Sequence, residues 1–216
     1  MKYKWRLFVL LLLPIFVSSQ KKITDLSIVY NSVITSSRDS ANKISSTTSY
    51  FVKESLSRAE VTSNLFSSVT IYDAKAGAGV ILKEVNGQKL LIRLNQANYN
   101  EKNKRFADLI FTNTNRTKAI AGYLCTEATA SSADGFEISV FYTRDLMPAN
   151  KSYDPAFKNL EGLPLEYELK KGALQIRYTL ASVSLNPVAA SKFDIPASGY
   201  RELSYEESKN RKMGNQ

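Results

Sequence analysis

From Leu26 onward, apolar residues recur at alternate positions in short runs, and clusters of Asn, Gly, Ser and Asp separate the runs. A period of two places successive side chains on opposite faces of a strand, so most of the chain reads as antiparallel β-structure. A first strand is expected over residues 25–35, with Leu26, Ile28 and Tyr30 on one face. Strands over 47–53 and 57–62 follow, joined by a turn near Glu54 and Ser55. The Ser-rich stretch from Ser36 to Ser49 is too weakly hydrophobic for a core element and reads as a loop or an irregular edge.

The strongest local signal lies within residues 67–94. Asn86-Gly87, a dipeptide tolerant of positive φ, sits between Val80–Val85 and Gln88–Leu94 and predicts a two-residue type I′ hairpin. Its register sets Val85 against Gln88, Glu84 against Lys89, Leu82 against Leu91 and Ile81 against Ile92. Val80, Leu82 and Leu91 then share one face, and Ile81, Leu90 and Ile92 the other. Two apolar faces mean that this part of the sheet is covered on both sides or that one side lines a cavity. Upstream, Gly77-Ala78-Gly79 lacks the spacing and the following helix of a phosphate loop, and reads as a tight bend.

A polar, Asn-rich segment from Asn95 to Lys104 follows, and its Lys102-Asn103-Lys104-Arg105 run looks like a loop. Strands resume over 107–113, 118–128 and 136–143. Between Tyr153 and Gly162 lies the one good helix signal, with Asp154 as N-cap, Pro155 at the first helical position and Gly162 past the end, for roughly two turns. A second hairpin is expected to pair Leu169 with Leu174, Tyr167 with Ile176, Leu165 with Tyr178 and Glu166 with Arg177. The inward parity then shifts from Ile176, Tyr178 and Leu180 to Val183 and Leu185, which predicts a bulge near Ala181. The fold class is therefore mainly β (α+β): a curved antiparallel sheet or half-barrel with short helices.

The N-terminus changes where such a domain would work. Lys2, Lys4 and Arg6 precede an apolar run from Leu7 to Val17, and Val17-Ser18-Ser19 suits a signal peptidase. That run is shorter than the roughly 18 residues of a spanning helix, so residues 1–19 read as an export signal cleaved after Ser19. No Cys follows to carry a lipid, so an unanchored periplasmic product is expected: one β-rich domain over residues 20–207 and a polar tail over 208–216. No second long apolar stretch follows, and no integral membrane span is expected.

Composition narrows the chemistry. The net charge of +9 favours anionic partners, yet no aromatic platform accompanies the basic run, and nucleic acid is not expected. With a single cysteine, Cys125, no internal disulfide can form. With no histidine, the Ser-His-Asp and Cys-His arrangements and the histidine-based zinc motifs are excluded. A hydrolase using two carboxylates would survive that filter. Glu166 and Glu168, two apart on a strand, match it only as any polar strand face would. No cofactor and no metal is expected.

Several segments resemble a known family. Lys118, Ile120, Gly122, Tyr123, Cys125 and Ala128 in TKAIAGYLCTEA match the K-x-I-x-G-Y-x-C-x-x-A signature of exported GLPGLI-type proteins and a neighbouring domain-of-unknown-function family of Gram-negative envelopes. Similar in order are YFVKESLSRAEV (residues 50–61), SSVTIYD (67–73), VFYTRDL (140–146), Gly162-Leu163-Pro164-Leu165, and Phe-x-Ile-Pro-x-x-Gly-Tyr from Phe193 to Tyr200. The chain departs from GLPGLI proteins at Leu165-Glu166, where they continue Gly-Leu-Ile, and at Phe141, where a Tyr or Trp is usual. The resemblance implies a LolA-like, lipoprotein-carrier-like architecture: a half-barrel whose short helices close over an apolar cavity. It implies no activity.

Together these readings lead to a non-enzymatic periplasmic binding protein, carrying or sensing a lipid, an acylated protein or another apolar ligand in its concave sheet. Ile138, Val140, Tyr142, Leu165, Tyr167, Ile176 and Tyr178 are the candidate lining residues. The alternative is an envelope adaptor acting through protein contacts without a ligand. A monomer is expected in either case.

Overall fold

Residues 22–213 are described by the computed structural model, and nearly all their alternating runs enter one large curved sheet. The strands are β1 (Lys22–Ile23), β2 (Asp25–Ser36), β3 (Asp39–Lys53), β4 (Leu56–Thr62), β5 (Phe66–Asp73), β6 (Ala78–Val85) and β7 (Gln88–Asn95). After helix α1 (Gln96–Asn103) come β8 (Thr112–Ile120), β9 (Tyr123–Ser131), β10 (Phe136–Thr143), β11 (Met147–Pro148), β12 (Leu163–Lys171), β13 (Leu174–Ser184) and β14 (Arg201–Leu203), then α2 (Tyr205–Met213). The leader, the cleavage site after Ser19 and the last three residues of the tail lie outside the described residues.

Twelve strands run in the order β14-β7-β6-β5-β4-β3-β2-β13-β12-β10-β9-β8, while β1 and β11 form a separate parallel pair. Strands β2 to β7 make one antiparallel meander and β8, β9, β10, β12 and β13 a second. The two join where β13 returns beside β2. The inner face carries the main core, including Leu26, Ile28, Tyr30, Val52, Val140, Leu165 and Tyr167, closed by Tyr153, Ala156 and Phe157 from short 3₁₀ turns. Towards β5–β7 the inner face carries Tyr72, Ile81 and Ile92, with Leu203 of β14 beside Ile92 and Tyr99 of α1 packed against the cluster. On the outer face there, Ile71, Val80, Leu82 and Leu91 are covered by Val188 and Phe193. The two apolar faces of residues 80–94 are thus both covered by protein, the first of the alternatives raised by the sequence.

The first hairpin pairs Val85 with Gln88, Leu82 with Leu91 and Ile81 with Ile92, as expected, and Asn86 and Gly87 both have positive φ. The irregularity expected near Ala181 lies between Leu180 and Ser182. Other expectations need correction. The second hairpin slips by two residues: Leu169 pairs with Ile176, Tyr167 with Tyr178 and Glu168 with Arg177, around a tight Gly172-Ala173 turn. A two-residue slip leaves every side chain on its face, so the hydrophobic pattern is blind to it.

Ser36–Ser49 is largely strand β3, paired with β2 along its length. Its hydroxyls supply what hydrophobicity does not: Ser32 Oγ hydrogen-bonds the Ser46 carbonyl at 3.0 Å and shares a 2.8 Å bond with Ser46 Oγ. The strand expected over 118–128 is two strands, β8 and β9, turning at Ala121-Gly122 with φ of 49° and 85°. Of the strand expected over 107–113, only Thr112 and Asn113 belong to β8. The helix expected after Asp154 is a single 3₁₀ turn, Pro155–Phe157, although Asp154 does cap it. The Asn-rich segment is helical instead, since Asn95 and Asn98 form a reciprocal capping box.

Gly162 does not end a helix. It lies against β10, where a Cβ would come within 2.2 Å of the Thr143 carbonyl oxygen. Only glycine fits that approach.

Candidate functional site

Midway along the inner face, β4 and β5 present small side chains, with Ser57, Ala59 and Val61 beside Ser68 and Thr70. Strands with little bulk leave a hollow beneath the elements that cross them. Here it is a cleft of about 290 Å³. Aromatic rings from separate elements form its walls: Tyr50 from β3, Tyr72 from β5, Tyr99 from α1, Tyr153 and Phe157 from the 3₁₀ turns, and Tyr167 and Tyr178 from β12 and β13. Lys102 of α1 also lines it.

The rings brace one another. Tyr167 stacks on Tyr178 with centroids 4.3 Å apart, and Tyr72 on Tyr99 at 3.7 Å. Edge-to-face contacts link Tyr50 to Tyr153 at 5.6 Å, and Tyr167 to Phe157 at 4.7 Å and to Tyr30 at 5.2 Å. Such geometries suit the ring quadrupole and fix each phenol's direction. Tyr30 and Tyr99 donate their hydroxyls to the carbonyls of Pro164 and Ser152, each at 2.7 Å. The hydroxyls of Tyr72 and Tyr153 are buried and have no hydrogen-bond partner among the described residues.

Asp154 is the polar centre of this group. As N-cap it accepts the Ala156 N–H on Oδ1 at 3.1 Å, and the Tyr50 hydroxyl acts on the same carboxyl electrostatically. Burial pushes its carboxyl pKa up, against the opposing pull of Tyr50, the Ala156 amide and, last, Lys102. Tyr30, Tyr50, Tyr99, Tyr153, Tyr167 and Tyr178 are all raised, first by burial, and Asp154 contributes to every one of these shifts. Tyr178 is pushed up to about 12. The phenols therefore stay neutral through the physiological range and surround a single buried carboxyl.

Of the candidate lining residues, the structure brings Tyr167 and Tyr178 to the cleft. Ile138, Val140, Tyr142 and Leu165 are buried in the packed core, where Tyr142 donates to Asn113 Oδ1 at 2.9 Å. Ile176 is half-buried opposite Leu169. Tyr50, Tyr72, Tyr99, Tyr153 and Asp154 also line the cleft, and strand alternation alone does not point to them. The high tyrosine count was the signal that could have pointed to the tyrosines.

Elsewhere, Glu166 binds Lys118 at 2.6 Å and Glu168 binds Arg177 at 3.0 Å, so each carboxylate faces a base and not the other across a gap. The Cys125 thiol is buried and its pKa is raised, first by that burial. Among the described residues no group of three or more acidic, cysteine or histidine side chains is placed to hold a metal ion. A wider depression of about 640 Å³ lies beside Ile110, Ile138 and Glu137, but it is more open and Glu137 is already paired with Lys170. The tyrosine cleft is the better-enclosed candidate.

No family model and no curated protein matches the chain. The likeness to GLPGLI-type proteins therefore rests on the motifs quoted above. Among solved structures, PNGF-II is similar at 16% identity and a TM-score of 0.49 over 86% of this chain, which spans 32% of that protein. An uncharacterised conserved protein from Thermus thermophilus is similar at 10% identity and a TM-score of 0.48, covering 84% of this chain and 90% of that one. A LolA-superfamily protein from Nitrosomonas europaea is similar at 8% identity and a TM-score of 0.37, covering 82% and 92%. At these scores the likenesses carry no argument about what this chain does.

Proposed function

We propose that the protein is a non-enzymatic binding protein of the bacterial envelope that holds one small, largely apolar ligand in the tyrosine cleft. The observation that carries this reading is the cleft itself: an aromatic hollow beneath a curved sheet, with two buried hydroxyls in its walls that find no partner among the described residues. Pockets for small molecules are mostly apolar with a few placed polar groups, and typically measure roughly 300–1,000 Å³. At about 290 Å³ this one suits a single short chain or ring. A whole acylated lipoprotein anchor would not fit within it. The leader expected at residues 1–19 supports a place beyond the inner membrane.

Native mass spectrometry of protein purified without detergent, followed by solvent extraction, tests the reading. A reproducible bound small molecule, or uptake of an uncharged short-chain fluorescent probe with one-to-one stoichiometry, is the expected result. Consistent absence of both would count against it. The adaptor reading draws on a different observation: Ile110, just before the edge strand β8, and Leu124, on its neighbour β9, are 80% and 69% exposed. Exposed apolar side chains close to an unpaired sheet edge suit protein contact.

A further inference from the structure

We propose that the cleft receives its ligand through a protonated amine held by the Asp154 carboxylate, with a short aliphatic remainder against the aromatic wall. This rests on the binding reading above and specifies the ligand's head. Asp154 uses one oxygen for the Ala156 N–H and meets the Tyr50 hydroxyl, while an ionised carboxylate offers about four acceptor positions. The Tyr153 hydroxyl, on a residue 94% buried and in the same cleft, adds an oxygen that no group among the described residues satisfies. Oxygen acceptors around one desolvated acid call for a donor that carries positive charge, since a buried carboxylate is costly without a compensating cation. Lys102 reaches this cleft but acts on Asp154 least of its neighbours. The surrounding phenol rings favour an ammonium group further, because a ring's negative face attracts a cation. An anionic head would meet Asp154 with like charge, and an alcohol would leave that charge uncompensated.

Titration calorimetry with three matched probes tests this: hexylammonium, hexanol and hexanoate. Hexylammonium is expected to bind about tenfold more tightly than either of the others at about pH 7.5. Its affinity should fall, with proton release on binding, as pH is lowered towards acid. The groups facing Asp154 are Tyr30, Tyr50, Tyr99, Tyr153, Tyr167 and Tyr178, whose raised pKa values keep them neutral, together with Lys102, so the acid-range titration belongs to Asp154. Asp154→Asn should weaken hexylammonium about tenfold and leave hexanol unchanged. Tyr153→Phe, which removes one oxygen and keeps the ring, should weaken hexylammonium about threefold. The wild-type pH series needs no variant and stands if either fails to fold. Equal affinity for hexanol, a preference for hexanoate or a pH-independent hexylammonium affinity would overturn the amine head and leave the cleft a binding site. Failure of all three probes in protein that native mass spectrometry finds ligand-free would overturn the binding reading as well.

Discussion

Asp154 both organises its surroundings and destabilises them. Its side chain caps the 3₁₀ turn Pro155–Phe157 and meets the Tyr50 hydroxyl, yet burial raises its pKa above that of the unfolded chain. The sign of the resulting linkage follows. Between the unfolded and folded pKa values the native state binds more protons, so stability falls as pH rises through that window, and the penalty is complete above the folded pKa. Asparagine retains a capping oxygen and cannot ionise. The stability of Asp154→Asn relative to wild type is therefore expected to rise on the order of 1 kcal/mol between acid and neutral pH, read as paired urea-denaturation curves. Asp25 and Asp73, whose pKa values are lowered, lose their contributions as pH falls in both proteins and cancel in the comparison. An equal difference at both pH values would show that the carboxyl is not desolvated. Little of this residue's role was legible beforehand. The Asp-Pro pair marked Asp154 as a cap, but only the fold brings Tyr50, from a strand about a hundred residues upstream, to its carboxyl.

At the scale of elements, turns decide what a sequence reveals. Asn86-Gly87 advertises positive φ and gave the correct register of β6 and β7. Ala121-Gly122 makes the same kind of turn from a residue that resists it, so the break between β8 and β9 leaves no mark in the sequence and the pattern reads as one strand. An alanine held at φ 49° carries a cost of roughly 1–2 kcal/mol that Asn or Gly would relieve in part. Ala121→Asn is expected to stabilise the protein by about 0.5–1 kcal/mol, measured as a shift of the urea midpoint at unchanged slope. Destabilisation would mean that Ala121 makes contacts that outweigh the strain. Helix α1 was hidden for a related reason: its capping box uses asparagine at both positions, where serine or threonine with glutamate is the familiar signature. The part of strand β3 before residue 47 is hidden because its stabilising side chains are hydroxyls, and hydrophobic alternation does not register them.

The whole molecule is two meanders sharing one sheet, and that arrangement makes the site. Tyr50 and Tyr72 come from the first meander, Tyr167 and Tyr178 from the second, and Tyr99, Tyr153 and Asp154 from the segments that cross the inner face. Alternation along each strand identified the inner face, including Ile138, Val140 and Leu165. It could not distinguish the part that packs solid from the part that stays hollow. That depends on small residues of β4 and β5, four or more strands away in the sheet, Ala59 and Thr70 among them. The central claim is that this hollow is where a ligand sits. Tyrosine-labelled protein, with ring carbon-13, titrated with hexylammonium or hexanol and followed by NMR, tests it most directly. The account predicts saturable shifts in the ring signals of Tyr50, Tyr72, Tyr99, Tyr153, Tyr167 and Tyr178, with Tyr123 and Tyr200 unmoved. Saturable binding that moves only Tyr123 or Tyr200, or no movement with either probe, would contradict it.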